Sequence, residues 1–436
     1  MRVIRGVDAA LAELSRAPGY AEPELPPSAA RRIAEVFGAP LTATQAVQRI
    51  IDDVRAGGDV ALRRYAELLD GVSLDAIEIP SSAWEAAADA IGAELRGALE
   101  TAAARVRAFH EASMPAEWSD SESGYGLRSV PIERVGLYAP GGSAAYPSTV
   151  LMTAIPARTA GVAEILLCTP NPNEVTLAAA LIAGVDRVFG VGGAQAVAAM
   201  AFSTESIPRV DKICGPGGIF VSIAKRLVYG HVDIDGLYGP TETVVIADDM
   251  ADPALAAADL LAQAEHDELA SPVLIATSDA VAASIAAELE RQLRSLEREA
   301  IARAALERNG AVAVVDSVEQ AVEVANAFAP EHLCLLVEDP QRYVGLVRNA
   351  GGVFVGETSP EVMGDYAAGP SHVMPTGGAA RYASSLGVHT FLKRVPVIAL
   401  HAGALRRLGP AAAAIARAEG LTAHARAAEL RLEGSS

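Results

Sequence analysis

Eight histidines occur in the 436 residues, and four of them stand in short polar segments. These are Gln263-Ala264-Glu265-His266-Asp267-Glu268, Pro330-Glu331-His332, Gly364-Asp365-Tyr366 running on to His372, and Glu419 running on to His424. Gln263 and His266 lie three apart at the end of an apolar helical stretch, a spacing that lets both side chains reach one point. Oxygen and imidazole donors so placed suit Zn2+ or a similar divalent ion, although a single histidine is more often a surface or satisfied core residue. Glu331-His332 is the sharpest acid/base pair. Imidazole titrates nearest neutrality, and the pair follows Pro330 at the join between a helix and the apolar run Leu333 to Val337, where side chains can face a cleft. A charged loop corner accounts for the pair equally well. Asp365 and His372, in glycine-rich surroundings, fit either a site or a long surface loop.

Three glycine-rich turns accompany them: Pro140-Gly141-Gly142, Gly190-Val191-Gly192-Gly193 and Gly215-Pro216-Gly217-Gly218. The second follows a strand-like run and opens a helix, the place where backbone approaches a pyrophosphate. Gln195 stands where a dinucleotide fingerprint has its third glycine, so an ordinary strand-to-helix turn remains open as a reading. A GxxxxGK[ST] segment is absent, which speaks against a P-loop nucleotide hydrolase.

The elements that must position these residues follow from periodicity. Val47, Ile50, Ile51 and Val54 mark one face of a helix ending near Gly57 and Gly58, while the proline-bearing residues 1–30 read as an arm. From Glu133 onward short apolar runs alternate with alanine-rich helical stretches. Glu164–Cys168 precedes Val175–Ala183, Arg187–Val191 precedes Ala194–Phe202, and the rhythm resumes from Thr243 to Phe328. Such alternation predicts parallel sheets in a doubly wound α/β fold. Asp252 before Pro253 reads as a helix N-cap, and Ser317 with Gln320 as a capping box. Residues Ala411–Arg431 form a helical tail of a different character, suited to docking on another surface.

Composition narrows the partners. Lys plus Arg number 35 against 54 Asp plus Glu, a formal charge of −19, and this acidity leaves no electrostatic footprint for nucleic acid or an anionic membrane. No apolar run approaches the roughly 20 residues of a membrane span, and Asp8 and Glu13 interrupt any signal-like start. Cys168, Cys214 and Cys334 are too scattered for a CxxC pair, which points to a reducing cytoplasm, and Cys168 and Cys334 read as inert buried thiols. Trp84 and Trp118 read as packing residues. A small-molecule partner is expected.

The polar segments also occur together with Gly136-Leu137-Tyr138-Ala139-Pro140-Gly141-Gly142, Tyr146-Pro147-Ser148-Thr149-Val150-Leu151-Met152, Gly193-Ala194-Gln195-Ala196 and Leu421-Thr422-Ala423-His424. In this order, from about Ile132 to Arg431, the sequence resembles the histidinol dehydrogenase family. The resemblance implies two Rossmann-like units, one inserted in the other, in an intertwined homodimer with shared active sites. Its domains would be 31–137 with 242–386, the inserted NAD-binding unit 138–241, and a tail 387–436 that completes the partner's site. It further implies zinc at Gln263, His266, Asp365 and His424, acid/base roles for Glu331 and His332, and NAD contacts from Tyr138 and Gln195. The substrate, L-histidinol, would meet Thr241, Gln263, His266, His332, Glu361, Asp365, His372, Glu419 and His424, and pass through L-histidinal to L-histidine in two hydride transfers.

Two departures stand out. The family's Gly-Pro-Ser-Glu is here Gly239-Pro240-Thr241-Glu242, which keeps the hydroxyl, and its Gly-Pro-Gly-Asn is here Gly215-Pro216-Gly217-Gly218, which drops an amide on the cofactor side. Rival readings are a related zinc/NAD dehydrogenase of another small polar alcohol such as a sulfopropanediol, a zinc hydrolase in which Glu331 activates water without nucleotide, and a catalytically silent metal-binding dimer.

Overall fold

The computed structural model describes residues 1–16, 25, 27–141 and 146–433. Part of the segment read as an arm, with Pro18, Gly19, Pro23 and Pro26, and Gly142 of the first glycine turn lie outside the described residues. Among the described residues, two six-stranded sheets and a small three-stranded one organise the fold. The first sheet runs Arg2–Arg5, Ala311–Val314, Ser271–Ala276, Glu242–Ala247, His332–Leu336 and Gly352–Val355, every pair parallel. Its central strand Glu242–Ala247 is buried throughout. Val245 and Ala247 pack on one side with Leu260 and Leu274, and Val244 and Ile246 on the other with Val322 and Leu333. That is the two-residue alternation of a strand covered by helices on both faces, which is why the sequence reads there as an unbroken apolar run.

The second sheet runs Glu78–Ile79, Arg187–Phe189, Glu164–Cys168, Arg134–Tyr138, Lys212–Cys214 and Asp233–Ile234, parallel except for its first pair. In each sheet the chain lays strands outward from the centre and then returns to the other side, leaving a crevice at the reversal. In the second sheet this falls between Arg134–Tyr138 and Lys212–Cys214, with Tyr138 and Gly215 at its carboxyl edge. In the first sheet, the polar residues singled out above cluster at the opposite, amino edge. Thr241 precedes one central strand, Glu331 precedes the other, and Thr243 pairs with His332.

The expected helix starts form. Asp252 caps the helix Pro253–Ala264 through Ala254 N at 2.8 Å, and Ser317 accepts from Gln320 N at 3.3 Å. The Gln320 side chain closes on Asp316 N rather than on the cap residue itself.

Three expectations are corrected. Residues 2–14 are not an arm: Arg2–Arg5 is the outer strand of the first sheet, and the helix Val7–Leu14 buries Ala10 and Leu14 against it. Residues 31–137 do not share a sheet with 242–386. The helix Ala43–Tyr65 packs with Gly193–Phe202, and Glu78–Ile79 and Arg134–Tyr138 are strands of the second sheet. The helix expected to stop at Gly57 and Gly58 resumes instead, because Gly58 takes a φ of 52° that turns the chain without ending the helix.

The tail begins with the strand Leu392–Ile398, antiparallel to Tyr125–Pro131, which in turn pairs with Trp118–Asp120. Two helices follow, Ala402–Ala418 and Thr422–Glu433, folded back at Gly420 and packed through Ala413, Ala416 and Ala425. Trp84 is buried as expected, whereas Trp118 is exposed and meets Tyr125 edge-on.

The place of the first strand and helix can be tested by substitution. Leu14→Ala is expected to lower unfolding free energy in urea by about 2–4 kcal/mol, as for a buried leucine. Were the segment an unpacked arm, the change would stay within about 0.5 kcal/mol.

Candidate active site

At the amino edge of the first sheet, Glu331 is buried beside the hydroxyl of Thr241. Thr241 Oγ1 stands 2.7 Å from both Glu331 Oε2 and Gln263 Oε1, and the Glu242 amide donates to the same Glu331 oxygen at 3.2 Å. A hydroxyl carries one proton, so Thr241 donates to one of these acceptors at a time. Burial pushes the Glu331 carboxyl up to about 7, against the opposing pull of His332 and these hydrogen bonds. It therefore exchanges protons near neutrality, the property wanted in a general acid or base.

His332 opens the neighbouring strand and is buried. Its Nδ1 faces the Glu242 carbonyl at 3.2 Å, its Nε2 lies 3.6 Å from Asp365 Oδ1, and Phe354 stacks obliquely on the ring. Burial disfavours its charge, but Glu331, Asp365 and Glu361 outweigh that and raise the imidazole to about 10. Asp365 is itself partly buried, yet the His332, His372 and His266 rings hold its carboxyl below the usual range. The short helix Glu361–Tyr366 presents Asp365 at one end and Glu361 at the other. Glu361 is wholly buried, accepts from Thr243 Oγ1 at 2.8 Å, and is pushed by burial to about 8, so near neutral pH its carboxyl is mostly protonated.

Gln263 closes this group from the last turn of Pro253–Ala264, its Nε2 donating to Asp365 Oδ2 at 3.4 Å. His266, one turn on, is exposed. His372 links the two sheets. Its Nδ1 meets the Asp365 carbonyl at 2.8 Å, and its Nε2 meets Thr149 Oγ1 at 3.4 Å on the helix Pro147–Ala160 that covers the second sheet. Burial lowers its pKa.

The segment from Asp235 to Thr241 makes a second link. Asp235 accepts from Gly215 N at 2.6 Å and pairs with buried Lys225, and Thr241 at the other end holds Glu331. Beyond it, at the carboxyl edge of the second sheet, Tyr138 accepts from Gly193 N at 3.2 Å, and Gln195 is buried with its Oε1 unpartnered. A Cβ at Gly218 would meet nothing within 4 Å, so the room for the missing amide stays open.

The structure thus brings together Thr241, Gln263, Glu331, His332, Glu361, Asp365 and His372, with His266 at the rim and Tyr138 and Gln195 on the facing sheet. Glu419 and His424 are not brought in. Both are exposed on the tail hairpin, and among the described residues neither side chain has a partner. Among the described residues, no group of three or more His, Cys, Asp or Glu is assembled to hold a metal ion. Within one chain the expected donors supply only His266 and Asp365 of those types, with an amide from Gln263. Three contributors went unnoticed in sequence: Arg16, which pairs with buried Glu242 and stacks on Phe328; Thr243; and Asp70, whose carboxyl receives the Gln195 amide.

A buried carboxylate and imidazole at the edge of one doubly wound α/β sheet, tied to a second such sheet through His372 and the segment Asp235–Thr241, define an α/β enzyme with an acid/base site. The histidinol dehydrogenase family profile matches residues 39–432, and the chain belongs to the histidinol dehydrogenase family. A histidinol dehydrogenase of Dehalococcoides mccartyi is 50% identical over 395 residues, covering 89% of this chain and 91% of that one. One from Deinococcus radiodurans is 48% identical, covering 99% of this chain and 100% of its own. The crystal structure of histidinol dehydrogenase from Elizabethkingia anophelis superposes with a TM-score of 0.91 at 34% identity, covering 100% of this chain and 98% of that chain.

The brace on Glu331 gives a direct prediction. Thr241→Val should lower kcat for oxidation of the aldehyde about tenfold, the equivalent of about 1.4 kcal/mol, while Thr241→Ser should stay within about twofold because the hydroxyl is retained. Equal rates for all three proteins in steady-state kinetics would show that the hydroxyl does not matter.

Proposed function

We propose that this protein is a zinc- and NAD-dependent histidinol dehydrogenase that oxidises L-histidinol to L-histidine through L-histidinal. The buried Glu331–His332 pair facing Asp365 carries the reading, because one cleft then offers two proton-exchanging groups for two successive oxidations. Family membership supports the substrate.

The residues present fit both cofactors. Gln263, His266 and Asp365 offer an amide, whose oxygen now meets Thr241 and would turn to the metal, an imidazole and a carboxylate, and buried His332 Nε2 and Glu361 Oε1 have no hydrogen-bond partner among the described residues. With His424 of the partner subunit as the fourth donor, this set suits Zn2+, which would hold and orient the substrate's nitrogen and oxygen atoms without changing oxidation state. NAD+ would accept the hydride of each oxidation at the carboxyl edge of the second sheet, beside Tyr138 and Gln195.

His332 takes the hydroxyl proton of the alcohol in the first oxidation. Its raised affinity for protons comes from the carboxylates around it, so engaging Asp365 in a metal site brings the imidazole back toward the range in which it can accept one. Glu331, poised near neutrality, takes a proton from the water that adds to the aldehyde. Thr241 steadies that carboxylate. Glu361, Asp365, His372 and, from the partner subunit, Glu419 surround the substrate and orient it.

A homodimer with shared sites accounts for the tail. Its hairpin exposes Leu408, Ile415, Leu421 and Leu430 beside the unengaged Glu419 and His424, an apolar surface suited to a second copy of the chain. No helix among the described residues is long and apolar enough to cross a membrane. The three cysteines are free and buried, in keeping with a reducing compartment.

The test is NADH formed per L-histidinol consumed, with zinc-loaded protein, excess NAD+ and the product identified by mass. Two NADH with histidine as product is expected. One NADH with histidinal released would remove the second oxidation, and no turnover with zinc and NAD+ both bound would redirect the reading to another small polar alcohol. Stripping the metal with a chelator should abolish turnover, with recovery on adding Zn2+; undiminished turnover after verified metal loss would contradict the zinc reading.

A further inference from the structure

Gln195 is wholly buried in the first turn of the helix Gly193–Phe202. Its Nε2 donates to Asp70 Oδ2 at 2.9 Å, and its Oε1 has no partner among the described residues. A side-chain amide has a donor end and an acceptor end, whereas a carboxylate only accepts, so Asp70 decides which end faces it. The carbonyl end is left beside the glycine turn, where a Cβ at Gly193 would fall 2.6 Å from Oε1. Gly193 N donates to Tyr138 Oη at 3.2 Å, which leaves the phenol's own proton free to be given away. Tyr138 and Gln195 therefore offer one donor and one acceptor at the same edge. That is the complement of a hydroxyl group, which gives one hydrogen bond and takes another, and a dinucleotide carries such groups on its riboses.

We propose that Asp70 is a positioning residue for nucleotide binding, locking the Gln195 amide with its carbonyl turned toward the cofactor. The proposal rests on the reading of Tyr138 and Gln195 as cofactor residues. Asp70 belongs to neither the glycine turns nor the acid/base group. It ends the π-helical turn Ala66–Asp70, which Gly71 closes at a φ of 69° in the left-handed region, so the backbone fixes its approach to Gln195. Its other side is exposed, and among the described residues no Lys or Arg pairs with it. Partial burial raises its carboxyl to about 6, against the lowering effect of Gln195, so at pH 7 and above it remains mostly an acceptor. An unpaired buried amide oxygen is costly unless a ligand completes it, and here the ligand would be the ribose hydroxyl.

The experiment compares Asp70→Asn, Asp70→Ala, Gln195→Ala and the double variant Asp70→Ala/Gln195→Ala with the parent enzyme. NAD+ binding is measured by calorimetry, with steady-state kinetics and Tm alongside. Asp70→Asn is nearly isosteric and removes only the constraint on the amide's orientation. Asp70→Ala, which leaves the amide without its anchor, is expected to raise Kd and KM for NAD+ about tenfold, or about 1.4 kcal/mol, and Asp70→Asn, which can pair with either end of the amide, about twofold. At saturating NAD+, kcat should stay within about twofold and KM for the alcohol should not change. The double variant should bind NAD+ no more weakly than Gln195→Ala alone, because Asp70 acts through Gln195. Unchanged NAD+ affinity in Asp70→Asn and Asp70→Ala, additive losses in the double variant, or parallel falls in kcat, both substrate affinities and Tm would overturn the proposal. Failure of the parent enzyme to bind NAD+ would overturn the cofactor reading, and this proposal with it, before any variant is considered.

Discussion

Four ionisable groups, Glu242, Glu331, His332 and Glu361, are buried at one edge of the first sheet, and burying charge without compensation costs several kcal/mol per group. The surrounding architecture answers that cost group by group. Arg16, brought in by the first strand and helix, pairs with Glu242, and Thr241 with the Glu242 amide serves Glu331. Glu361 is held largely uncharged with a bond from Thr243, and His332 draws on Glu331 and Asp365. Some of these groups keep a buried atom with no hydrogen-bond partner among the described residues, among them His332 Nε2 and Glu361 Oε1. Interior polar atoms left in that state are the mark of a site that a ligand completes.

The two sheets meet at opposite edges. The second offers its carboxyl crevice, the usual seat of a nucleotide in such folds, while the first offers its amino edge, where Thr241, Thr243, Glu331 and His332 lie side by side through strand register. His372 with Thr149 and the segment Asp235–Thr241 hold the edges together, so the acid/base pair and the glycine turns are parts of one structure.

Much of this was legible in the sequence because it is local. The i, i+3 spacing of Gln263 and His266, the adjacency of Glu331 and His332, and the capped helix starts are all short-range patterns, and the alternation of apolar runs with alanine-rich stretches marked the parallel sheets. What escaped depends on distant partners. Arg2–Arg5 carries arginine at both ends and buries only Ile4, the pattern of an outer strand, and its partner Ala311–Val314 lies far along the chain. Asp70 shows nothing in sequence to tie it to Gln195, and Arg16 nothing to tie it to Glu242. The order of the units was misassigned for the same reason: the helix Ala43–Tyr65 declares an apolar face but not the sheet it covers.

The tail shows the limit of a single chain. Glu419 and His424, proposed to finish a metal and substrate site, are left in solvent by their own fold, on a hairpin whose apolar residues are also uncovered. Completion by a second copy is the central claim, and mixing inactive subunits tests it most directly. His332→Ala and His424→Ala homodimers are each expected to be inactive, but after subunit exchange the heterodimer carries both lesions in one site and none in the other. Recovery of activity, approaching about half the parent value per heterodimer, is the predicted result. No recovery after exchange has been verified would contradict a site shared between chains.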